Sequence, residues 1–385
     1  MKRYLIYLIG LLFCGLLIGC TAGPVEEMPE AAQLVAISFG KPDLGVPAIL
    51  TRADEVTMPE PTFLPAGATV RICGYLRSKV GESTVPVSFA TVAPSFEMTY
   101  VVKADGSLSP CLADDTGTEL PGNAGELIVR GGVYDFYAVS PARKPVKDTG
   151  NHYAITALPH KEDVMTSFAR EVTISGTSRV VTLETFRRQC ALLVFNVAPS
   201  PDNALPFEQL FGTKLVLRNI SSSDASLIVG TDTGISLTGG ESCAETEVTF
   251  VDEEFVPVEE GSDPDGMGLN KIKGVILPKN DQPFEVEIGV QRDNETATLK
   301  AIIDKRITFD AGKRYVFTLE VKNNESRLNL RVLAWNAVPF SDGNVGGPDE
   351  PYPDPDIHEG IGIVMTVASW KNIIWSGNGE VGGRE

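Results

Sequence analysis

Tyr134-Asp135-Phe136-Tyr137-Ala138-Val139-Ser140-Pro141 is the stretch on which the fold turns. Side chains of an extended chain alternate between two faces, so Tyr134, Phe136 and Ala138 share one face and Asp135, Tyr137 and Val139 the other. Both faces are largely apolar. The aromatic pair could be taken for a carbohydrate platform, but packing between two layers accounts for both faces at once. The segment reads as a strand inside a β-sandwich.

The same style continues on either side. Short strands are predicted at Thr69 to Leu76, Val85 to Val92, Phe96 to Val102, Glu126 to Val129 and Glu171 to Ser175, with Gly, Pro and Asp marking the turns. A second series follows at Val180 to Leu183, Cys190 to Val197, Lys214 to Asn219, Ser226 to Val229, Glu247 to Val251 and Lys273 to Leu277. It runs on through Phe284 to Arg292, Ala297 to Ile303, Tyr315 to Val321 and Leu328 to Leu333. Long amphipathic helices do not stand out, and strands at this spacing predict an all-β chain with two sandwiches.

The two ends differ from this middle. Met1-Lys2-Arg3 precedes the apolar run Leu5 to Ile18, too short to span roughly 30 Å of hydrocarbon comfortably, and Leu17-Ile18-Gly19 leads to Cys20. This is the pattern of a removed lipoprotein leader, with the Cys20 thiol carrying the lipid. After a polar tether, Leu34 to Phe39 alternates with Val35, Ile37 and Phe39 on one face, as in a half-buried strand. Arg52 then stands between this strand and the rest of the chain. At the other end, Ser341 to Gly360 is rich in Gly, Pro and Asp and reads as a linker. Ile361, Ile363, Met365 and Val367 beyond it alternate as a further strand in need of a partner sheet, near Trp370 and Trp375.

Charge and motifs exclude several functions. The net charge of −18 at pH 7 leaves no basic stripe to neutralise phosphates, so no nucleic-acid partner is expected. Cys73, Cys111, Cys190 and Cys243 are widely spread; an exported chain permits disulfides among them, and buried thiols are equally compatible with the pattern. His152, His160 and His358 have no HExxH, GxSxG, Walker or GxGxxG companion, and His160, beside Lys161-Glu162-Asp163, reads as a solvated loop residue. Ser262-Asp263-Pro264-Asp265-Gly266 is half of a calcium loop, with Ile272 where the bidentate Glu would stand. The expectation is therefore no enzyme, no cofactor and no metal.

Taken together, the Cys20 leader, Thr51-Arg52-Ala53, the Tyr134 to Pro141 strand, Glu162-Asp163-Val164-Met165, and Ala311 to Leu319 leading to Val332-Leu333-Ala334-Trp335-Asn336 resemble the fimbrillin family. These are the pilins of type V pili in anaerobic Gram-negative oral and gut bacteria. Arg187 to Phe195 also resembles the strand that opens the second domain in such proteins. The resemblance covers nearly the whole chain. It implies two transthyretin-like β-sandwich domains with a detachable N-terminal strand and a C-terminal strand extension. The divisions would be a signal peptide at 1–19, a propeptide at 20–52, sandwiches at 53–180 and 181–340, and a linker with donor strand at 341–385.

The resemblance further implies a lipidated precursor at the outer membrane, cut by an arginine-specific protease between Arg52 and Ala53. The strand with Val35, Ile37 and Phe39 would leave. A strand from another pilin subunit would fill the groove, with Ile361, Ile363, Met365 and Val367 as the candidate donor, and the product would be a surface fimbrium serving adhesion to a host glycan or protein. Two alternatives remain open on the residues alone: a surface glycan-binding or adhesion lipoprotein that never polymerises, and a pilus anchor that keeps its lipid.

Overall fold

The computed structural model describes residues 33–45, 62–78, 88–112, 117–122, 124–176, 178–199, 210–221, 225–240, 246–251, 255–257, 270–280, 282–292, 295–303, 307–321, 326–334 and 363–372. Every element among them is a β-strand. The first thirteen are β1 (Leu34–Phe39), β2 (Asp43–Gly45), β3 (Thr62–Phe63), β4 (Thr69–Ser78), β5 (Phe96–Val102), β6 (Leu108–Pro110), β7 (Leu127–Arg130), β8 (Gly132–Ser140), β9 (Val146–Lys147), β10 (Tyr153–Ile155), β11 (Met165–Ile174), β12 (Ser178–Val181) and β13 (Arg187–Arg188). There follow β14 (Ala191–Pro199), β15 (Leu210–Arg218), β16 (Ser226–Thr231), β17 (Gly234–Thr238), β18 (Glu247–Val251), β19 (Phe255–Pro257), β20 (Asn270–Ile276), β21 (Phe284–Arg292), β22 (Glu295–Ile303), β23 (Lys313–Val321), β24 (Ser326–Ala334) and β25 (Ile363–Asn372).

In the N-terminal half, a three-stranded sheet ordered β12-β1-β7 covers a six-stranded sheet ordered β13-β11-β8-β4-β5-β6. Between them lies a core to which β1 contributes Val35, Ile37 and Phe39, β4 contributes Val70 and Ile72, and β8 contributes Tyr134, Phe136 and Ala138. This core also takes Val181, Leu183 and Phe186, so it extends past residue 180, and β12 straddles that position. The strand expected at Val85 to Val92 is absent from its described part, Ser88 to Val92. There Ala90 and Thr91 form a turn, closed by the Val92 N–H donating to the Phe89 carbonyl at 2.8 Å.

In the C-terminal half, one sheet of ten strands runs β18-β15-β21-β22-β25-β24-β23-β14-β20-β19. It curls over a second core in which Phe195 stacks on Phe317 with ring centroids 4.5 Å apart. β25 is the hinge of this curl. It pairs with β24 through Ile363, Val364 and Met365 and with β22 through Thr366, Val367, Trp370, Lys371 and Asn372, so it joins two faces that would otherwise end in open edges.

A third core welds the halves together. Tyr75, Tyr137 and Val139 from β4 and β8 meet Leu192 and Val194 from β14, Leu227 and Val229 from β16, and Val275 and Leu277 at the end of β20. β8 is therefore buried on both faces, as its sequence predicts. Asp135, the one carboxylate among those buried side chains of β8, accepts from Arg77 Nε at 3.0 Å and from the Glu171 N–H at 2.8 Å. Backbone pairing adds to the weld, because β10 from the first half pairs with β16 from the second in a sheet ordered β17-β16-β10-β9.

Candidate functional site

The strongest candidate site is the slot held by β1. The strand alternates as the sequence predicts, with Val35, Ile37 and Phe39 buried and Leu34 and Ser38 exposed. It is the middle strand of its sheet, parallel to β12, with Ala36 opposite Ser178 and Phe39 opposite Val181. On its other edge it is antiparallel to β7, with Leu34 opposite Arg130 and Ile37 opposite Leu127. Removing it would leave unpaired backbone groups on two strands and three empty apolar positions, each worth about 1.5–3 kcal/mol when filled.

Phe39 makes the aromatic contacts of the slot. Its ring stands edge-on to Tyr100 and to Phe136, each with centroids 5.5 Å apart. Burial raises the pKa of Tyr100 above its ordinary value. Beside the strand an open cleft of about 290 Å³ runs between Ile37 and Phe39 on one side and Tyr100, Leu108, Pro110 and Leu127 on the other.

A second grip follows β1, and sequence reading missed it. Lys41-Pro42-Asp43 and Gly45-Val46-Pro47 read as turn-prone, yet β2 pairs with β3, with Asp43 opposite Phe63 and Gly45 opposite Thr62. Leu44 is buried in the first core, and the Asp43 carbonyl accepts from the Phe186 N–H at 2.8 Å. A three-residue strand that follows Pro42 and ends in Gly45 has too few positions to reveal a period. Its consequence is geometric: β2 and β3 pin together the two ends of the 46–61 connection, which contains Arg52 and Ala53. Those two residues, like Cys20, lie outside the described residues.

The candidate donor strand sits elsewhere. Ile363, Met365 and Val367 lie in β25, opposite Leu328, Ser326 and Leu299 respectively, while Ile361 lies outside the described residues. β1 and β25 thus belong to different sheets of the same chain. Trp370 is opposite Ala297 in the strand register.

The cysteines and histidines take structural places. Cys73, Cys111 and Cys190 are buried thiols, and Cys243 is outside the described residues. Burial pushes the Cys73 and Cys190 thiols up to about 12, far from a reactive thiolate. His160 is not the solvated residue expected from its charged neighbours: it is half-buried, with Nε2 2.7 Å from the Ser221 carbonyl and Nδ1 accepting from the Leu277 N–H at 3.2 Å. The long-range packing of the two halves, invisible in its local sequence, buries it. Ser262 to Gly266 and His358 lie outside the described residues.

With this geometry in place, comparison with known proteins is informative. A profile of the family described as Fimbrillin-like matches residues 129–335, more than half of the chain. A crystal structure of a candidate cell adhesion protein from Bacteroides fragilis NCTC 9343 is similar in fold. It is 16% identical, the match covers 80% of this chain and 99% of that one, and the TM-score is 0.51. A candidate cell adhesion protein from Bacteroides uniformis ATCC 8492 is also 16% identical over 79% of this chain and 98% of that one, with a TM-score of 0.47. No curated protein matches the chain in sequence.

Proposed function

Because the chain belongs to the fimbrillin-like family, we propose that it is a fimbrial subunit activated by removal of its first strand. The family supports a pilin or adhesion role at the cell surface. In this reading Cys20 carries the lipid that delivers the precursor to the outer membrane, and an arginine-specific protease cuts between Arg52 and Ala53. The released piece takes β1 and β2 with it, and a strand from another subunit enters the slot between β12 and β7.

The observation that carries this reading is the place of β1. A first strand lying at an edge could leave without consequence, but this one is central, so its loss opens a strand-wide gap with pockets at the Val35, Ile37 and Phe39 positions. An incoming strand with alternating apolar side chains restores the backbone hydrogen bonds on both sides and refills those pockets. Donor and acceptor surfaces differ, so the contact is heterologous and extends into a filament.

The candidate donor with Ile361, Ile363, Met365 and Val367 must then leave β22 and β24 before it can reach a neighbour. The Gly- and Pro-rich linker before it supplies the reach. A second reading is favoured by the pairing of β25 within its own sheet: a subunit that keeps this strand and its lipid, and binds a host glycan or protein without polymerising. The test is Arg52→Ala expressed in the native host. The first reading expects a mature N-terminus at Ala53 in the wild type and an unprocessed monomer in the variant; a wild-type start at Cys20 bearing lipid supports the second.

A further inference from the structure

The segment from Leu158 to Val164, between β10 and β11, bonds to the other half of the molecule. Its backbone donates from the Leu158 N–H to the Ala225 carbonyl at 3.0 Å and from the Lys161 N–H to the Val275 carbonyl at 2.8 Å. Between those two bonds the His160 ring uses both nitrogens. Nε2 faces the Ser221 carbonyl, which can only accept, so Nε2 carries a proton. Nδ1 faces the Leu277 N–H, which can only donate, so Nδ1 carries none. The arrangement fits one form of the ring, the neutral Nε2–H tautomer. A proton on Nδ1 would set a donor against a donor and break the bond to Leu277.

We propose that His160 is a pH-sensitive clasp between the two halves, closed while its ring is neutral and released when Nδ1 is protonated.

The described charged groups around it are engaged elsewhere. Lys161 places its ammonium over the Phe250 ring at 4.4 Å, and Glu162 pairs with Arg143. Asp163 pairs with Arg188 at 2.9 Å, and Lys279 donates to the carbonyls of Asn280, Gln282 and Ile307. Burial lowers the His160 pKa from its ordinary 6.5, with the Ser221 carbonyl pulling the other way. The open form therefore takes the proton more readily than the closed one. Closure is complete above the open-form value of 6.5 and weakens as pH falls towards the lower closed-form value, by at most about tenfold per pH unit. Leu158, Val275 and Leu277 around the ring belong to the weld core, so the loosening is expected there.

Hydrogen–deuterium exchange of the full chain, corrected for intrinsic rates, tests the clasp between about pH 7.5 and about pH 5. In the wild type the amides of Leu158, Lys161 and Leu277 lose protection below pH 6.5, by at most about tenfold per pH unit, while those of β14 and β23 keep theirs. His160→Gln, whose neutral amide can donate to Ser221 and accept from Leu277, shows no such step. Asp163, held high by burial, also titrates in acid, and this variant separates its contribution from that of His160. Unchanged protection in the wild type, or the same step in His160→Gln, overturns the proposal. Should that variant not fold, the ring is titrated in the wild type by NMR: a Leu277 amide signal that moves with the ring supports the clasp, and one indifferent to it overturns the clasp.

Discussion

The ring of Phe39 stands edge-on to that of Phe136, with centroids 5.5 Å apart and planes at 79°. One residue comes from the first described strand and the other from the strand buried on both faces. This contact ties the end of β1 to the most deeply placed element of the N-terminal half. Phe39→Ala in the uncleaved chain is expected to cost about 3–5 kcal/mol. Denaturant unfolding of precursor and variant measures it; a loss below about 1 kcal/mol would show that the slot collapses around the missing ring.

Close packing predicts a second effect, at Gly74. A Cβ built there would lie 2.1 Å from the Phe96 ring, so the ring rests directly on the glycine backbone. Gly74→Ala should destabilise by about 1–3 kcal/mol through overpacking. In Phe96→Ala the same substitution should cost much less, and a double-mutant cycle measures that coupling. Additive effects would mean that the two positions do not clash.

Thiol chemistry offers a pH test. Burial holds the Cys73 and Cys190 thiols at about 12 in the fold, against an ordinary value of 9.0. A raised pKa depletes the thiolate at every pH below it, so alkylation of the folded chain should be slow at pH 9.0 and rise about tenfold per pH unit above it. Unfolding in urea should bring both thiols to the ordinary range at once. Mass spectrometry after timed alkylation reads the result, and rapid modification of either residue in the folded chain contradicts it.

The ten-stranded sheet makes β25 a seal as well as a strand. A chain ending before Ile363 exposes the edges of β22 and β24 together. Unpaired edges invite pairing with another chain. The truncated protein should therefore associate in a concentration-dependent way that the full chain does not show, as read by light scattering. A truncated chain that stays monomeric at all concentrations would place the closure of the C-terminal half elsewhere.

Much of the fold is legible because strand periodicity is local. β1 and β5 have the bounds their sequences predict, and Phe284 to Arg292 coincides with β21. The two apolar faces of Tyr134 to Val139 announce burial on both sides, and the structure provides a core on each. The reading fails where alternation is broken. β11 begins at Met165, before the predicted Glu171; the earlier part is hidden because Ser167 interrupts one face and Thr166 and Arg170 the other, and the pairing with β8 shifts register between Ala169 and Val172. Phe89, placed in a predicted strand, instead opens a turn, and its N–H bonds the Gly230 carbonyl across the weld.

By itself the sequence determined which segments extend and which of their faces are apolar: Val35, Ile37 and Phe39 near one end, Ile363, Met365 and Val367 near the other. Partner choice was left to the tertiary structure. Backbone donors and acceptors are the same in every residue but proline, so a strand's neighbours depend on which edges and pockets long-range packing brings to it. That packing put β1 between Ser178–Val181 and Leu127–Arg130, and β25 between β22 and β24 of its own chain. It also placed His160, locally a residue among charges, between the Ser221 carbonyl and the Leu277 N–H.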